Sequence, residues 1–295
     1  MDTLWIQLDS ILNFITKKGA LKMTDKSGRI FAVVNRKGGV GKTTTAITLA
    51  HGLARRINGN GGRVLIVDFD PQGNVATSLQ LELRESDLAD LLLERSSFKD
   101  CVISANRAAE GFPRPNLFVL PSNDSLAEAK SELMVKSAIG GRRSGSIEDV
   151  LEEKLGFVRQ LFDYTIIDCP PTLDSFSDAV YNLADEAIVP VKTDFLGEVG
   201  TARHTNDILE AQAYGIDIKI ACILPTFYDR RLTIARSVLA ALVEHYGRNS
   251  VATPIPRTTA FEQAPAMAGQ TIFEYQPNSV AAKSYEQLVD RIYST

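Results

Sequence analysis

Residues 35–45 read NRKGGVGKTTT, and the fold follows from how this stretch is understood. Its end matches a phosphate-binding loop, G-x-x-x-x-G-K-[ST], with Gly41, Lys42 and Thr43 in place. Its start does not. Arg36 stands where the opening glycine belongs, and a second lysine, Lys37, sits beside it. An apolar, β-branched run precedes the loop at 30–35 (IFAVVN), and helical periodicity follows at 43–57. A strand, a glycine-rich loop and a helix in that order let backbone N–H groups meet phosphate oxygens at a helix N-terminus. Lys42 then reaches the outer phosphates, and the Thr43 hydroxyl is placed to hold Mg²⁺.

Further short apolar runs at 64–68, 117–120, 164–168, 186–191, 218–224 and 251–254 alternate with helical patterns at 147–161, 202–214, 233–246 and 280–293. Near-continuous Val/Ile strands separated by helices predict an α/β fold: a three-layer α/β/α arrangement around a mostly parallel twisted sheet. Ligands in such sheets bind beyond the carboxyl ends of the strands, where the polar motifs of this chain fall. VDFDPQGN puts Asp68 and Asp70 at a strand end. The two carboxylates should do different work: one ordering metal-bound water, the other polarising the attacking water. An Asx turn closed by Pro71 and Gly73 would use the same residues structurally. IIDCPPT ends another apolar strand with Asp168, the usual place for a carboxylate that supports Mg²⁺.

Composition narrows the possibilities. The chain has 295 residues, 44% of them apolar, and a net charge of −4. One large core is expected, with residues 29–295 as the domain and 1–28 as an N-terminal extension. A polyanion would have to be met by a local basic patch and not by bulk charge. Cys101, Cys169 and Cys222 are scattered without a C-x-x-C pair, which reads as reduced, buried thiols of a cytoplasmic protein. No apolar run approaches a membrane span, and the N-terminus lacks the basic start and cleavage site of a secretory signal.

The runs KGGVGKTT, DFDPQGN, IIDCPP, YDRR and IPRTTAFEQAPA resemble, in order and approximate spacing, the ParA/Soj branch of the deviant Walker A ATPases, which also includes MinD. The resemblance spans residues 29–293. It implies a P-loop ATPase with ATP and Mg²⁺ as cofactors, in which Lys37 is the signature lysine that reaches the partner subunit's nucleotide when two ATP-bound subunits face each other. Lys42 would neutralise phosphate charge within its own subunit, so ATP would act as the glue of a homodimer. Gly38, Gly39, Val40, Gly41, Lys42, Thr43 and Thr44 would cradle the phosphates, with Thr44 on the α-phosphate. Asp70 would position the hydrolytic water, Asp68 and Asp168 would lie on the metal side, and Thr226, Pro254 and Pro256 would contact adenine. The resemblance further implies binding of non-specific double-stranded DNA by the dimer, here through Arg230, Arg231, Arg236 and Arg257. Solvated arginines at helix ends would look the same. A ParB-like centromere-binding or adaptor protein would stimulate hydrolysis, and the expected location is cytoplasmic and nucleoid-associated.

Two departures stand out. Many Soj-like members read IPRNVR with a DNA-contacting arginine in sixth place, where this chain has Ala260. From Arg203 onward, acidic and basic residues are equal in number, nine each. At the other end, LWIQLDSILNFITKK puts Leu4, Leu8, Ile11 and Ile15 on one stripe flanked by Trp5 and Leu12, the pattern of an amphipathic helix. That stripe can pack on its own domain, bind another protein or subunit, or lie on a membrane, and an ordinary initiation point at Met23 would remove it altogether. A membrane is disfavoured because Asp2 and Asp9 cancel Lys17 and Lys18. The alternative reading, a MinD-like membrane-associated positioning ATPase, would want a basic amphipathic helix at the end, and YEQLVDRIYST lacks one. An iron–sulfur carrier relative would need cysteines that are not placed here.

Overall fold

The computed structural model describes residues 28–140, 146–172, 175–193 and 218–294. The stretches read above as helices at 4–15 and 202–214 lie outside them. Seven strands form one sheet: β1 (Arg29–Val33), β2 (Val64–Asp68), β3 (Ile103–Ser104), β4 (Leu117–Leu120), β5 (Tyr164–Asp168), β6 (Glu186–Lys192) and β7 (Lys219–Thr226). Their order is β3-β4-β2-β5-β1-β6-β7, all parallel except the two-residue edge strand β3. Described helices are α1 (Lys42–Ile57), α2 (Asn74–Leu79), α3 (Leu88–Leu92), α4 (Phe98–Cys101), α5 (Ser125–Gly140), α6 (Ile147–Leu155), α7 (Val158–Leu161), α8 (Ser175–Leu183), α9 (Thr233–Tyr246), α10 (Ala260–Ala266), α11 (Ile272–Tyr275) and α12 (Val280–Ser294).

Alternation along each strand feeds two cores. Ile30, Ala32 and Val34 face one, with Leu151, Phe176 and Val238 from helices. Phe31 and Val33 face the other, with Leu49, Leu53, Tyr285 and Leu288. Both faces of the sheet are therefore covered, which is why its strands are apolar at nearly every position. All three cysteines are buried and reduced, as expected.

Three local readings are corrected. Residues 251–254 are not a strand: only Val251 bridges to Ile223, because the segment then leaves the sheet to run beside the residues after β7. The helix expected over 147–161 is two helices, broken after Leu155. Gly156 still donates to the Glu152 carbonyl, and the chain then turns so that Val158 and Leu161 can enter the core. Asn35 lies beyond β1, its side chain donating to the Pro190 carbonyl at 2.6 Å and accepting from the Lys37 N–H at 2.8 Å. It pins the entrance of the loop.

A buried polar cluster holds α1 against α11. His51 shares a 2.8 Å hydrogen bond with the Thr271 hydroxyl, and the fully buried Arg114 makes a two-pronged pair with Glu274. His51 lies 4.0 Å from Glu274, but burial, outweighing that carboxylate, pushes its imidazole down to about 4, so it is neutral at pH 7 and the contact is no ion pair there. The unfolded chain takes a proton near the ordinary value of 6.5 while the folded chain refuses it until about 4. Stability is thus complete above 6.5 and falls as the pH drops through that window, by about 3 kcal/mol in total. The difference in urea midpoint between the native chain and His51→Gln, followed from pH 7 to 4.5, should show this slope, because the opposite contribution of the buried carboxyl of Asp68 is common to both proteins.

Candidate nucleotide-binding site

The loop after β1 is shaped by its glycines. Gly39 and Gly41 have φ of +69° and +90°, in the left-handed region that a side chain resists. Gly41 ends the loop as the N-cap of α1, with no side chain capping the helix and no acid in its first turn. Its first N–H groups, and the positive end of the helix dipole, are left for an anion. Lys42 is buried, its Nζ donating to the Lys37 carbonyl at 3.3 Å. Desolvation lowers its pKa, and the nearby Asp168, Cys169 and Asp70 oppose that shift. Thr44 follows in the first turn, half-buried beside Thr48 and Ser78.

The sheet order brings the carboxylates to this loop. Because β5 lies between β1 and β2, Asp168 is the register partner of both Val33 and Asp68 at the strand ends. Asp68 is wholly buried and accepts from the Asp70 N–H at 3.1 Å and the Val75 N–H at 3.0 Å. Burial still drives its pKa up to about 7. Asp68 thereby holds the turn into α2. Gly73 permits that turn: it has φ of +61°, and a Cβ there would stand 2.6 Å from the Ser122 carbonyl. Asp70, two residues beyond the end of β2, is only half-buried. Its carbonyl accepts from the Ser122 hydroxyl at 2.5 Å, and its Oδ1 accepts from the Gln72 N–H at 3.0 Å.

Asp168 differs from both. It is 1% exposed, and among the described residues neither carboxylate oxygen meets a donor in hydrogen-bond geometry. Burial first, and the Asp68 charge second, raise its pKa well above the usual carboxylate range, against the Thr43 hydroxyl and the Lys42 ammonium. Two orphaned, buried carboxylate oxygens beside a hydroxyl suit a hard divalent cation that takes oxygen ligands. The donor set formed by Asp168 and Thr43 fits Mg²⁺.

Known proteins are similar to this chain in sequence and fold. An AAA domain family model matches residues 28–220. The sporulation initiation inhibitor protein Soj of Bacillus subtilis is 32% identical over 268 residues, 90% of this chain and 98% of Soj. The chromosome partitioning protein ParA of Caulobacter vibrioides is 30% identical, covering 90% of this chain and 94% of ParA. The chain belongs to the ParA/MinD family of partition ATPases. Among solved structures, cobyrinic acid a,c-diamide synthase of Mycobacterium smegmatis with bound ATP analogue and magnesium superposes with a TM-score of 0.68 at 28% identity, covering 90% of this chain and 94% of that one. The McdA–ATP complex of Cyanothece shares the fold, with a TM-score of 0.73 at 23% identity and coverage of 91% and 97%.

The remaining positions expected of a ParA-type chain fall in two places. Thr226 ends β7, buried, and its hydroxyl donates to the Val40 carbonyl at 2.9 Å, so its side chain secures the phosphate loop. Pro254 and Pro256 come alongside it because residues 255–257 pair with 225–228: Ile255 N–H to Pro225 at 2.8 Å, Tyr228 N–H to Ile255 at 3.0 Å and Arg257 N–H to Tyr228 at 2.9 Å. Arg230, Arg231, Arg236 and Arg257 are exposed on the neighbouring surface. Arg231 clasps both oxygens of Asp229, at 2.9 and 2.7 Å, and holds that carboxyl at about 2. Arg236 donates to the Arg230 carbonyl and the Thr233 hydroxyl. Ala260 is 2% exposed at the start of α10, packed in the core with Phe261 against it, so this position presents nothing to a ligand. Sequence reasoning missed Asn35, Ser122 and the loop-securing role of Thr226, since each acts through contacts distant in the chain.

Proposed function

We propose that this chain is an ATP-gated molecular clamp: it binds ATP at the loop, dimerises on it, holds double-stranded DNA without sequence preference, and lets go after hydrolysis, so that cargo is segregated or positioned. The observation that carries this reading is the convergence of the Lys42 loop with Asp68, Asp70 and the uncommitted Asp168 at the ends of β1, β2 and β5. Lys42 and the N-terminus of α1 neutralise phosphate charge, and Asp70, half-open to the cleft, orients the attacking water. Thr43 and Asp168, with Asp68 behind them, would hold Mg²⁺, which would supply positive charge against the negative charge that develops on the phosphates. Thr44 contacts the α-phosphate, while Pro254 and Pro256 flank the adenine. Lys37 acts across the dimer on the partner's nucleotide. Hydrolysis is stimulated by a ParB-like partner, and the protein works in the cytoplasm on the nucleoid.

The DNA surface is Arg230, Arg231, Arg236 and Arg257, with the Asp229 carboxylate clasped by Arg231 and also facing the charge of Arg257. Doubling that patch in a dimer offsets the balanced charge of the C-terminal region. The family's membrane-cycling mode is disfavoured by α12, whose apolar residues Tyr285, Leu288, Val289 and Ile292 are buried in the core. No described helix is long and apolar enough to cross a membrane.

The test is binding of Asp70→Ala protein to random-sequence duplex DNA with ATP, with ADP and with neither, at two salt concentrations. Binding should require ATP and weaken steeply with salt, because phosphate contacts release counterions. No binding by a verified ATP dimer would overturn the DNA part of the proposal.

A further inference from the structure

Helix α5 carries a lysine into the interior. Lys130 is 7% exposed, and its Nζ donates to the Phe69 carbonyl at 3.2 Å. The same ammonium lies 4.6 Å from the centre of the Phe69 ring and 5.4 Å from that of Phe176, two buried rings whose centroids are 6.2 Å apart. Ring faces replace part of the hydration that a buried ammonium gives up. Phe69 is the residue between Asp68 and Asp70. Its N–H is already tied to the Asp168 carbonyl at 2.9 Å, so the peptide units on its two sides are held from opposite directions, one by β5 and one by Lys130. Phe176 belongs to α8, the helix that follows the Asp168 loop. A cavity of about 20 Å³ links Lys130 onward to Asn35, Arg36 and Cys169.

We propose that Lys130 is a positioning residue for hydrolysis: by holding the Phe69 carbonyl within an aromatic cage, it sets where the Asp70 carboxylate stands relative to the phosphate loop. A charged donor makes a stronger bond to a carbonyl than a neutral one, which suits a strand end that must not drift. The phosphate loop has separate anchors, Thr226 on Val40 and Asn35 on Lys37, so ATP binding does not depend on Lys130. This inference rests on the reading of Asp70 as the residue that orients water.

Three variants decide it, with phosphate release and titration of a fluorescent ATP analogue as readouts. Lys130→Met should lower kcat about tenfold, since misplacement by a fraction of an ångström costs rate steeply, while affinity for the analogue stays within about twofold. Phe176→Leu, which keeps the lysine and removes one ring, should show the same split to a smaller degree, and it decides the matter should Lys130→Met fail to fold. Asp70→Ala, assayed in parallel, separates the failures. Full turnover in Asp70→Ala would remove Asp70 from the mechanism and Lys130 with it. Loss of turnover in Asp70→Ala together with unchanged kcat in the other two, or with kcat and affinity falling together, would overturn the role of Lys130 alone.

Discussion

Lys37→Ala should bind ATP almost as well as the native chain and remain a monomer in its presence. The substitution keeps the main-chain contacts that the loop takes from this residue within one subunit. The Lys37 carbonyl that accepts from Lys42 and the N–H that donates to Asn35 are both main-chain groups, and alanine retains them. What is lost is the ammonium proposed to act across the dimer. In the single chain Lys37 Nζ is buried, so contact with a partner's nucleotide requires the side chain to swing outward, drawn by phosphate charge. Light scattering with and without ATP measures the outcome. A Lys37→Ala protein that still dimerises on ATP would sink the two-lysine account, since charge compensation would then be complete within one subunit.

Asp70→Ala should cost hydrolysis roughly 100-fold or more, the usual worth of a group that orients or deprotonates a nucleophile, and leave an ATP dimer that does not come apart. The chain around Asp70 is held mainly by other groups: Ser122 on its carbonyl, Asp68 on its N–H and Asp168 on the preceding residue. Removal of the side chain gives up one local bond, to the Gln72 N–H. A fall in turnover therefore reports chemistry and not collapse of the site. Asp68 cannot easily substitute, because it is sealed in the core and its oxygens are engaged by two backbone donors. Turnover at the native rate in Asp70→Ala would eliminate Asp70 from the mechanism.

By itself the sequence determined the parts that depend on near neighbours. The apolar run, the glycines and the helical periodicity around Gly41 specify strand, loop and helix because each responds to spacing of a few residues. The same holds for Asp70 and Asp168 at strand ends. The family resemblance then followed from the order of those pieces. Tertiary structure decided what depends on distant neighbours. It inserted β5 between β1 and β2, so that Asp168 meets Asp68 in register, and no local pattern states that order. It gave the similar-looking Asp68 and Asp168 different environments, one engaged by N–H groups and one whose oxygens meet no hydrogen-bond donor among the described residues. It ended the helix at Leu155, denied residues 251–254 a place in the sheet, and buried Ala260. Lys130 is the sharpest case. On an isolated helix a lysine between Ala129 and Ser131 reads as solvated, and only the packing of α5 over Phe69 and Phe176 places its charge beneath the strand end that carries Asp70, because burial is a property of the neighbours that the fold supplies and not of the residue.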